Sequence, residues 1–423
     1  MSGVRRKYVY DEVHGNIVLE GLELELADTP PLQRLRRVKQ LSQAWYVYPG
    51  AVHVRFSHSL GVMHLMRKIA EKLAAEGIIS KDDIILLKAA ALLHDVGHTP
   101  YSHALEYLLY TRYRIKHEDI SYWVITEEPT VKEVLSKYGL SPQEVAKVVI
   151  GDHDKNGYNV LISSDLDVDR LDYLLRDALH TGVKYGLIDL ERIIQTLTID
   201  GEGNIAVFKK GMQAAESFYM SRYYMYRTVY YHKTISAYQL LLASIYDLML
   251  EEREVSELLR PFNTVEGIRR AVREGYIHLW DDFLIGGVMN VVVARRLGSE
   301  LLRELINTYM NRKGYKAIHE HILFGNNNPI THSHIVRLRE FSEQLMSRGV
   351  NGYSFRTYAD SIPIISEDYE VRVITDDGTS VRISEYKDSV MKGLPRYMGI
   401  IRVYALPVVE TVVKEHLKSL KLV

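Results

Sequence analysis

The chain has 423 residues, of which 53 are lysine or arginine and 54 are aspartate or glutamate, so its formal net charge is −1. This balance argues against a dedicated nucleic-acid-binding protein, and the 47% hydrophobic content is typical of a globular protein rather than a disordered or fibrous one. The absence of cysteine excludes disulfides, a thiolate nucleophile and thiolate zinc sites. Any metal must therefore be held by histidine and carboxylate side chains.

No apolar stretch of the sequence is long enough to cross a bilayer. The longest, Ile84–Leu93, contains Lys88. The N-terminal segment MSGVRRKYVYDE has no apolar run of the kind found in signal peptides. We therefore expect a cytoplasmic protein without a membrane partner. Local basic stretches such as residues 33–40 are compatible with small anionic ligands.

Helical periodicity dominates the first 325 residues. Apolar residues at helical spacing predict a helix from residue 60 to about residue 77, with Gly77 as its C-terminal cap. Ser80 and Asp83 would cap the next helix, whose body IILLKAAALL is apolar on nearly all sides and should be buried. Further helices are predicted at residues 131–138, 142–151, 168–180, 210–250, 255–260, 265–273 and 296–310.

The sequence pattern changes after residue 325. The segment NNNP predicts a linker, and VRVITDDGTSVRI predicts two strands joined by a turn at Asp377 and Gly378. IIRVYALP, residues 400–407, predicts a further strand. The predicted fold class is mostly α, with a helical domain over residues 1–325 and a smaller mixed α+β lobe over residues 326–423. We expect the smaller lobe to serve oligomerisation or regulation.

Two histidines and two carboxylates from three segments have the chemistry of a metal site. They are His58, His94, Asp95 and Asp169. Such a set suits Mn, Fe, Mg, Ni or Zn, and it leaves coordination positions open for water and a phosphate oxygen. Because His94 and Asp95 directly follow the apolar helix, burying them without a cation would be costly. A purely structural role is a reasonable alternative for any one of the four and a poor one for all of them.

Two further sets of polar residues recur every four positions, which places each set on one helix face: Asp169, Tyr173 and Asp177, and Arg222, Tyr226 and Tyr230. An arginine offers a permanently charged fork for phosphate oxygens, and a tyrosine can pack against a sugar or a base. The alternative is packing within amphipathic helices. We favour packing for Tyr226 but not for Arg222 or Tyr230.

His103 and Glu106 stand three residues apart at a predicted helix start. A carboxylate at this spacing can orient an imidazole and keep it protonated, which makes His103 a candidate general acid. His117 and Glu118 form a second histidine–acid pair, and the sequence does not give its distance from the first.

Several other histidines are expected to be structural. Two His-x-His pairs could form a second metal site, but they flank a loop rich in glycine and asparagine and have no carboxylate pattern nearby, so we favour surface or packing roles for them. These pairs are His319 with His321 and His332 with His334. Structural roles are also expected for His53 and His64.

At these residues the sequence resembles the HD-domain superfamily of metal-dependent phosphohydrolases, which is named after doublets such as His94 with Asp95. Within it, the resemblance is to the SAM-and-HD-domain deoxynucleoside triphosphate triphosphohydrolases and their bacterial and archaeal relatives. An ordered set of segments from residue 11 to about residue 407 carries it: DEVHGNIVLE, DTPPLQRLRRVKQL, YVYPGAVHVRFSHSLGV, HDVGHTPYSH, DLDVDRLDYLLRD, YYHK and IIRVY. The resemblance implies a helical HD-domain bundle without a SAM domain.

The resemblance also implies a role for each matching residue. The metal ligands would be His58, His94, Asp95 and Asp169. The phosphates would be contacted by His98, Arg55, Arg170 and Arg222. The leaving-group proton would come from His103 with Glu106, and His117 would lie in the same catalytic pocket. The sugar pocket, in which Asp177 would take the 3′-hydroxyl and close walls would exclude a 2′-hydroxyl, would be lined by Gln40, Leu41, Tyr173, Asp177 and Tyr230.

Members of this family are often activated by nucleotides bound between the subunits of a tetramer. The positions that would read a guanine nucleotide are Asp28, Gln33 and Arg36. Neighbouring effector pockets would include Arg192, Lys210, His232 and Lys233. The sequence departs from the family in three places, which affect phosphate contacts, base contacts and effector activation: Arg170 in place of a lysine, Tyr226 in place of a histidine and Thr228 in place of an arginine.

The prediction that follows is a metal-dependent enzyme. It would hydrolyse deoxynucleoside triphosphates to a deoxynucleoside and inorganic tripolyphosphate, with one divalent metal ion and with room for additional Mg²⁺ on the nucleotide. It would form a dimer or tetramer with GTP or a deoxynucleotide as effector. Two alternatives are an HD nucleotidase acting on nucleoside monophosphates or cyclic nucleotides, and a nucleotide- or single-strand-binding regulator with little turnover.

Overall fold

Helix accounts for 57% and strand for 13% of the computed structural model, which describes residues 6–155 and 157–419. The predicted fold class, mostly α with a smaller mixed α+β part, is therefore confirmed. Residues 1–5, 156 and 420–423 lie outside the described residues. The first five belong to the N-terminal segment without a signal-peptide pattern, and the last four belong to the predicted C-terminal lobe.

The helices fall into two runs along the chain. The first run comprises α1 (Leu22–Ala27), α2 (Pro30–Arg34), α3 (Arg55–Ala75), α4 (Ile84–Leu93), α5 (His103–Tyr113), α6 (His117–Glu127), α7 (Pro129–Lys137), α8 (Pro142–Ile150), α9 (Tyr158–Ile162) and α10 (Val168–Thr181). The second run comprises α11 (Leu190–Thr196), α12 (Met212–Met225), α13 (Lys233–Glu251), α14 (Arg253–Leu258), α15 (Val265–Arg273), α16 (Asp282–Arg295), α17 (Glu300–Met310), α18 (His332–Ser347) and α19 (Glu410–Ser419).

The strands form three separate sheets. They are β1 (Arg6–Asp11), β2 (Gly15–Glu20), β3 (Leu197–Ile199), β4 (Ile205–Phe208), β5 (Lys316–Gly325), β6 (Phe355–Pro363), β7 (Arg372–Ile374), β8 (Ser380–Arg382) and β9 (Tyr397–Ala405). β1 and β2 form an antiparallel hairpin. The second sheet has the order β3-β4-β7-β8, with β4 parallel to β7, and the third has the order β5-β9-β6 and is antiparallel throughout.

The helices that carry the predicted metal ligands pack against one another in the main core. α4 lies between α3 and α8, and α10 packs on α3. α4 is buried from Leu86 to Leu93, except at the partly buried Lys88, as its apolar sequence predicted. α10 begins where the side chain of Asp167 accepts a hydrogen bond from the backbone N–H of Arg170, at 2.7 Å. It ends at Gly182, whose φ of 76° glycine adopts without a Cβ clash.

A second apolar cluster surrounds α13, which packs against α5 and α17. A third lies under the sheet of β5, β9 and β6, where Phe341 and Leu345 of α18 and Val413 of α19 pack together with Ile401 and Val403 of β9. Among the described residues, none of the helices combines the length and the apolar character needed to span a bilayer.

Most predicted helices are present, with shifted ends. The prediction at residues 60–77 corresponds to α3, which begins five residues earlier. The single helix predicted over residues 210–250 is wrong, because α12 ends at Met225 and is followed by a turn of π-helix, Tyr226–Tyr230. The backbone N–H of Tyr231 there donates to the carbonyl of Tyr226 at 2.9 Å. The helix predicted from residue 296 begins at Glu300, because Arg296 and Gly298 both have positive φ.

The predicted strands are also present, and their pairing could not be read from the sequence. The hairpin at Asp377 and Gly378 is formed by β7 and β8, and the strand predicted at residues 400–407 is β9. β7 pairs with β4, which precedes residue 325, and β9 pairs with β5, which ends at that residue. The division of the chain at residue 325 stays a prediction. Two of the sheets pair strands that precede this boundary with strands that follow it.

Candidate active site and metal centre

The four predicted metal ligands come together at the ends of three helices. His58 lies in the first turn of α3, His94 and Asp95 follow α4, and Asp169 lies in the first turn of α10. Nε2 of His58 is 3.0 Å from Oδ1 of Asp169 and 3.6 Å from Oδ2 of Asp95. Nε2 of His94 is 3.3 Å from Oδ1 of Asp95 and 3.7 Å from Oδ1 of Asp169.

The donor set fits a divalent cation. Nδ1 of His94 donates to the backbone carbonyl of Ala91 at 2.8 Å, so its Nε2 carries the lone pair. This buried Nε2 has no hydrogen-bond partner among the described residues, and one ligand atom each of His58, His94 and Asp95 lie within 4.8 Å of one another. A cation among these side chains would satisfy the orphaned nitrogen, and mixed imidazole and carboxylate ligands suit several divalent metals.

The electrostatics of this cluster favour a cation. Burial opposes ionisation of Asp169, but its contact with Nε2 of His58 at 3.0 Å outweighs burial and holds the pKa of this carboxyl well below its usual range. Burial likewise opposes ionisation of Asp95, and the positive charge of Arg55 outweighs it, so the pKa of Asp95 is also lowered. Both carboxylates are therefore ionised, as the ligands of a divalent cation must be.

Asp172, a buried carboxylate that contacts the predicted ligand His58, was missed by the sequence analysis. Nδ1 of His58 donates to Oδ2 of Asp172 at 2.8 Å, which directs Nε2 towards the other ligands. Arg176 donates to both oxygens of Asp172, at 2.8 and 2.9 Å. A Cβ at Gly61 would meet Asp172 Oδ1 at 1.8 Å, so α3 approaches α10 closely at this point. The available signal was spacing, since Asp172 follows Asp169 by one helical turn.

The predicted catalytic residues also come together. Nε2 of His98 lies 3.3 Å from Oδ1 of Asp95, and the ring of His98 stacks on that of His117 with centroids 3.8 Å apart. Glu106 accepts hydrogen bonds from Nδ1 of both His103, at 3.0 Å, and His117. Burial opposes a charged imidazole at His117, but the negative charge of Glu106 outweighs it and raises the pKa of His117.

Each of the three predicted phosphate-binding arginines is already paired with a carboxylate. Arg55 donates to Asp95 at 2.5 Å and to Ser102 at 2.7 Å, so it touches a predicted metal ligand directly. The other two pairs are Arg170 with Asp167 and Arg222 with Asp165, the latter at 2.6 Å and buried on both sides. The arginines are thus held in fixed positions by acids that balance their charge.

The predicted sugar pocket is built around Asp177. Its Oδ2 accepts a hydrogen bond from the hydroxyl of Tyr230 at 2.8 Å, and its Oδ1 accepts one from Nε2 of His53 at 2.7 Å. The ring of Tyr173 meets that of Tyr230 edge-on at 5.7 Å. His53 was expected to be only structural, and its contact with Asp177 was not foreseen. The backbone N–H of Gln40 donates to the carbonyl of His53 at 3.0 Å.

Three further residues of interest near the predicted sugar pocket are Gln40, Leu41 and Tyr226. The buried Oε1 of Gln40 has no hydrogen-bond partner among the described residues, and Leu41 packs half-buried against the core. Tyr226 packs edge-on against Tyr230 at 5.5 Å, as favoured, and its hydroxyl also accepts a hydrogen bond from Nε of Arg222 at 3.4 Å. Burial raises the pKa of Tyr226, but the positive charges of Arg222 and Arg170 outweigh it and lower the pKa overall.

The predicted effector residues form three separate groups. Gln33 accepts a hydrogen bond from Nε of Arg36 at 2.9 Å and donates to the carbonyl of Ala27, next to Asp28, at 2.7 Å. The guanidinium of Arg36 lies 3.7 Å from the ring centroid of Phe56. The second group is Arg192, whose Nε donates to the carbonyl of Lys210 at 3.1 Å. The third is His232 with Lys233, at the start of α13.

The His-x-His pairs lie elsewhere. One pair, His319 and His321, is on β5, and the other, His332 and His334, opens α18. Within the described ranges, the groups of side chains that could hold a metal do not include these histidines. Nδ1 of His334 accepts a hydrogen bond from the backbone N–H of Thr331 at 3.1 Å, which is a helix-capping contact.

Comparison with known proteins matches these features. Residues 55–177 match the model of the HD domain, and residues 188–266 match that of the HD associated region. An uncharacterised protein of Methanocaldococcus jannaschii is 33% identical over 411 residues, which are 94% of this chain and 79% of that protein. A crystal structure of a phosphohydrolase from Bacteroides thetaiotaomicron has a TM-score of 0.77 at 28% identity and covers 95% of this chain and 100% of the other.

A human relative matches a smaller share of the chain. Deoxynucleoside triphosphate triphosphohydrolase SAMHD1 of Homo sapiens is 31% identical over 263 residues, which are 54% of this chain and 42% of SAMHD1. This chain therefore matches less than half the length of that enzyme.

The helical bundle and its site of histidines and aspartates define a metal-binding hydrolase. The chain belongs to the family of HD-domain phosphohydrolases, as the resemblance predicted.

Proposed function

We propose that this hydrolase cleaves deoxynucleoside triphosphates to a deoxynucleoside and inorganic tripolyphosphate. One observation carries the proposal: the ligand Asp169, the ring of Tyr173 and the carboxylate of Asp177 follow one another at four-residue intervals on α10. A single helix face thus connects the metal ligands with a pocket of hydroxyl and carboxylate groups suited to a sugar. The likeness to SAMHD1, which is named for this activity, supports the same substrate class.

The proposed reaction requires residues that hold the cation and residues that contact the phosphates. His58, His94, Asp95 and Asp169 would hold the divalent cation, which when bound polarises an α-phosphate oxygen and lowers the pKa of a coordinated water from about 15.7 towards about 7. Arg170 and Arg222, which Asp167 and Asp165 hold in position, would donate hydrogen bonds to the phosphate oxygens of the triphosphate.

Release of the deoxynucleoside requires a proton on its 5′-oxygen. His103 would donate it, and Glu106 would orient the imidazole through the 3.0 Å hydrogen bond. His98 would contact the phosphates in the same pocket, where its ring stacks on that of His117.

Selection of the sugar would rest on Asp177. Its two oxygens are held by His53 and Tyr230, and each retains a lone pair for a 3′-hydroxyl. The Tyr230 hydroxyl would close the space beside the ribose so that a 2′-hydroxyl does not fit. Gln40, Leu41 and Tyr173 would form the other walls.

We further propose a dimer or tetramer that is activated by a guanine nucleotide bound at Asp28, Gln33 and Arg36. The position of Arg36 over the ring of Phe56 supports this, because Phe56 lies in the first turn of α3, as does the ligand His58. Arg192, Lys210, His232 and Lys233 would belong to neighbouring effector sites, and the C-terminal lobe would serve assembly. The substrates would come from the cytoplasmic nucleotide pool.

The purified protein should be incubated with each deoxynucleotide, with and without GTP, in the presence of Mn²⁺, Mg²⁺, Fe²⁺, Ni²⁺ or Zn²⁺. Ion-exchange chromatography would resolve the products. Tripolyphosphate and a deoxynucleoside are expected. Orthophosphate from nucleoside monophosphates would instead indicate a nucleotidase, and binding of nucleotides or single strands without turnover would indicate a regulator.

A further inference from the structure

The turn between β1 and β2 reaches the metal centre through a buried carboxylate. Nε2 of His14, in this turn, donates to Oδ1 of Asp172 at 2.7 Å. The other oxygen of Asp172 accepts the 2.8 Å hydrogen bond from Nδ1 of the ligand His58. The side chains of His14 and Asp172 are 3% and 0% exposed, so water does not compete for these bonds.

Asp172 has no freedom to turn. Each of its oxygens accepts one histidine N–H and one N–H of Arg176. A rotation of the carboxylate would break at least two of these bonds inside the core, where unpaired polar groups are costly. The plane of Asp172 in turn fixes the orientation of the His58 imidazole.

The hairpin turn is itself held against α10. Oδ1 of Asp11 accepts hydrogen bonds from the backbone N–H groups of Val13 and His14, at 3.0 and 2.9 Å. Nη1 of Arg176 donates to Oδ2 of Asp11 at 2.9 Å. The same arginine therefore ties both the turn and Asp172 together, and His14 enters the core at a defined position.

We propose that His14 is a positioning residue for the metal centre, through which the N-terminal hairpin sets the affinity of His58 for the cation. The proposal rests on the metal site of the proposed function and is independent of the substrate. Partners that orient a ligating histidine typically contribute about tenfold to a hundredfold to metal affinity. His14 acts through Asp172, so we expect an effect of about tenfold, at the lower end of this range.

Two amide variants of the full chain separate hydrogen bonding from packing. The glutamine amide of His14→Gln reaches about as far as Nε2 of histidine and can donate to Asp172, whereas the asparagine amide of His14→Asn is one bond shorter. Mn²⁺ binding without nucleotide should be measured from the electron paramagnetic resonance signal of the free ion. We expect His14→Asn to raise the dissociation constant about tenfold and His14→Gln to remain near the wild-type value.

His64 supplies a control, because its ring lies 5.5 Å from that of His14. His64→Gln should bind Mn²⁺ like the wild type. The shift in melting temperature on adding Mn²⁺ gives the same comparison for a variant that unfolds early.

The proposal is overturned if His14→Asn binds Mn²⁺ like the wild type, if both His14 variants weaken binding equally, or if His64→Gln weakens it as much. A wild-type chain that binds no Mn²⁺ would remove the site on which the proposal rests. Tight Mn²⁺ binding with the expected variant pattern but without deoxynucleotide turnover would overturn the proposed substrate and leave the role of His14 standing.

Discussion

His117 donates a hydrogen bond from Nδ1 to Glu106, across the gap between α6 and α5. The other oxygen of that carboxylate accepts a bond from His103. Two imidazoles therefore share one acid, but they differ in exposure: the side chain of His103 is 65% exposed and that of His117 is 20% exposed. The more exposed imidazole, that of His103, is the proposed donor of the leaving-group proton.

This arrangement predicts that His103→Ala lowers kcat by about 10²- to 10⁴-fold, the usual contribution of a general acid, with little change in substrate affinity. Steady-state kinetics and nucleotide binding should be measured on the same preparations. The exposed His332, at the start of α18, provides a control in His332→Ala, which should be fully active. Unchanged turnover in His103→Ala would rule out the acid role.

Asp169→Ala should lose metal and turnover together. The change removes the carboxylate that lies 3.0 Å from His58 and 3.7 Å from His94. Metal content measured by plasma mass spectrometry should fall, and tripolyphosphate release should fall with it. Asp154→Ala, at a side chain that is 88% exposed, should retain both. Stoichiometric metal with full activity in Asp169→Ala would contradict the site.

Tyr230→Phe should weaken discrimination against ribonucleotides. The change removes the hydroxyl that donates to Asp177 at 2.8 Å and leaves space beside the sugar. The ratio of kcat/KM for a ribonucleotide to that for its deoxy counterpart should rise about two- to tenfold, the equivalent of one hydrogen bond. Tyr224→Phe, at a ring that is 39% exposed, is the matched control. An unchanged ratio in Tyr230→Phe would speak against a sugar-selecting role.

Gly97→Ala should destabilise the protein. A Cβ at this position would lie 2.1 Å from the backbone nitrogen of Ser121 and 2.4 Å from the carbonyl oxygen of His117. Because both are backbone atoms of α6, the helix would have to move away from the loop that follows Asp95. Overpacking of this kind costs about 1–3 kcal/mol, which thermal denaturation would detect. Gly201→Ala, where a Cβ meets nothing within 4 Å, should melt like the wild type.

His64 predicts a pH dependence of stability. Burial lowers the pKa of His64 to about 4, with a smaller contribution from the neighbouring His14, whereas the pKa of a histidine in the unfolded chain is about 6.5. Between these pH values the unfolded state therefore binds more protons than the folded state. The free energy of unfolding consequently decreases as the pH falls from about 6.5 towards 4.

Melting temperatures of the wild type and His64→Gln should be compared between pH 7 and pH 4.5. We expect the wild type to lose more stability than the variant over this range, because glutamine does not titrate. Parallel pH profiles would show that His64 has the same proton affinity in both states.

The four predicted metal ligands, which the structure brings close together, could be selected because few residue types bind divalent cations and because the segments that contain them resemble those of a known family. The roles of His14 and His53 could not be assigned in this way. His14 and Asp172 are 158 residues apart, and His53 and Asp177 are 124 residues apart. Such pairs are set by how helices pack, and no local pattern encodes them.

The fold shows the same limit. The amphipathic helices α7, α8, α10 and α15 follow from apolar periodicity. The break between α12 and α13 could not be predicted from the sequence, because no glycine or proline occurs between Met225 and Lys233. There the hydrogen bond of Tyr230 with Asp177 and that from Arg402 to the carbonyl of Tyr231, at 2.6 Å, accompany the π turn. These contacts come from α10 and β9, far away in the chain.

The parallel pairing of β4 with β7 bears on any attempt to study the helical part alone. A fragment ending at residue 325 would leave β4 with an open hydrogen-bonding edge, which invites self-association. It would also lose the backbone N–H of Ser366, which donates at 2.8 Å to Asp165, the buried partner of Arg222. We expect such a fragment to aggregate and to hold the side chain of Arg222 less firmly.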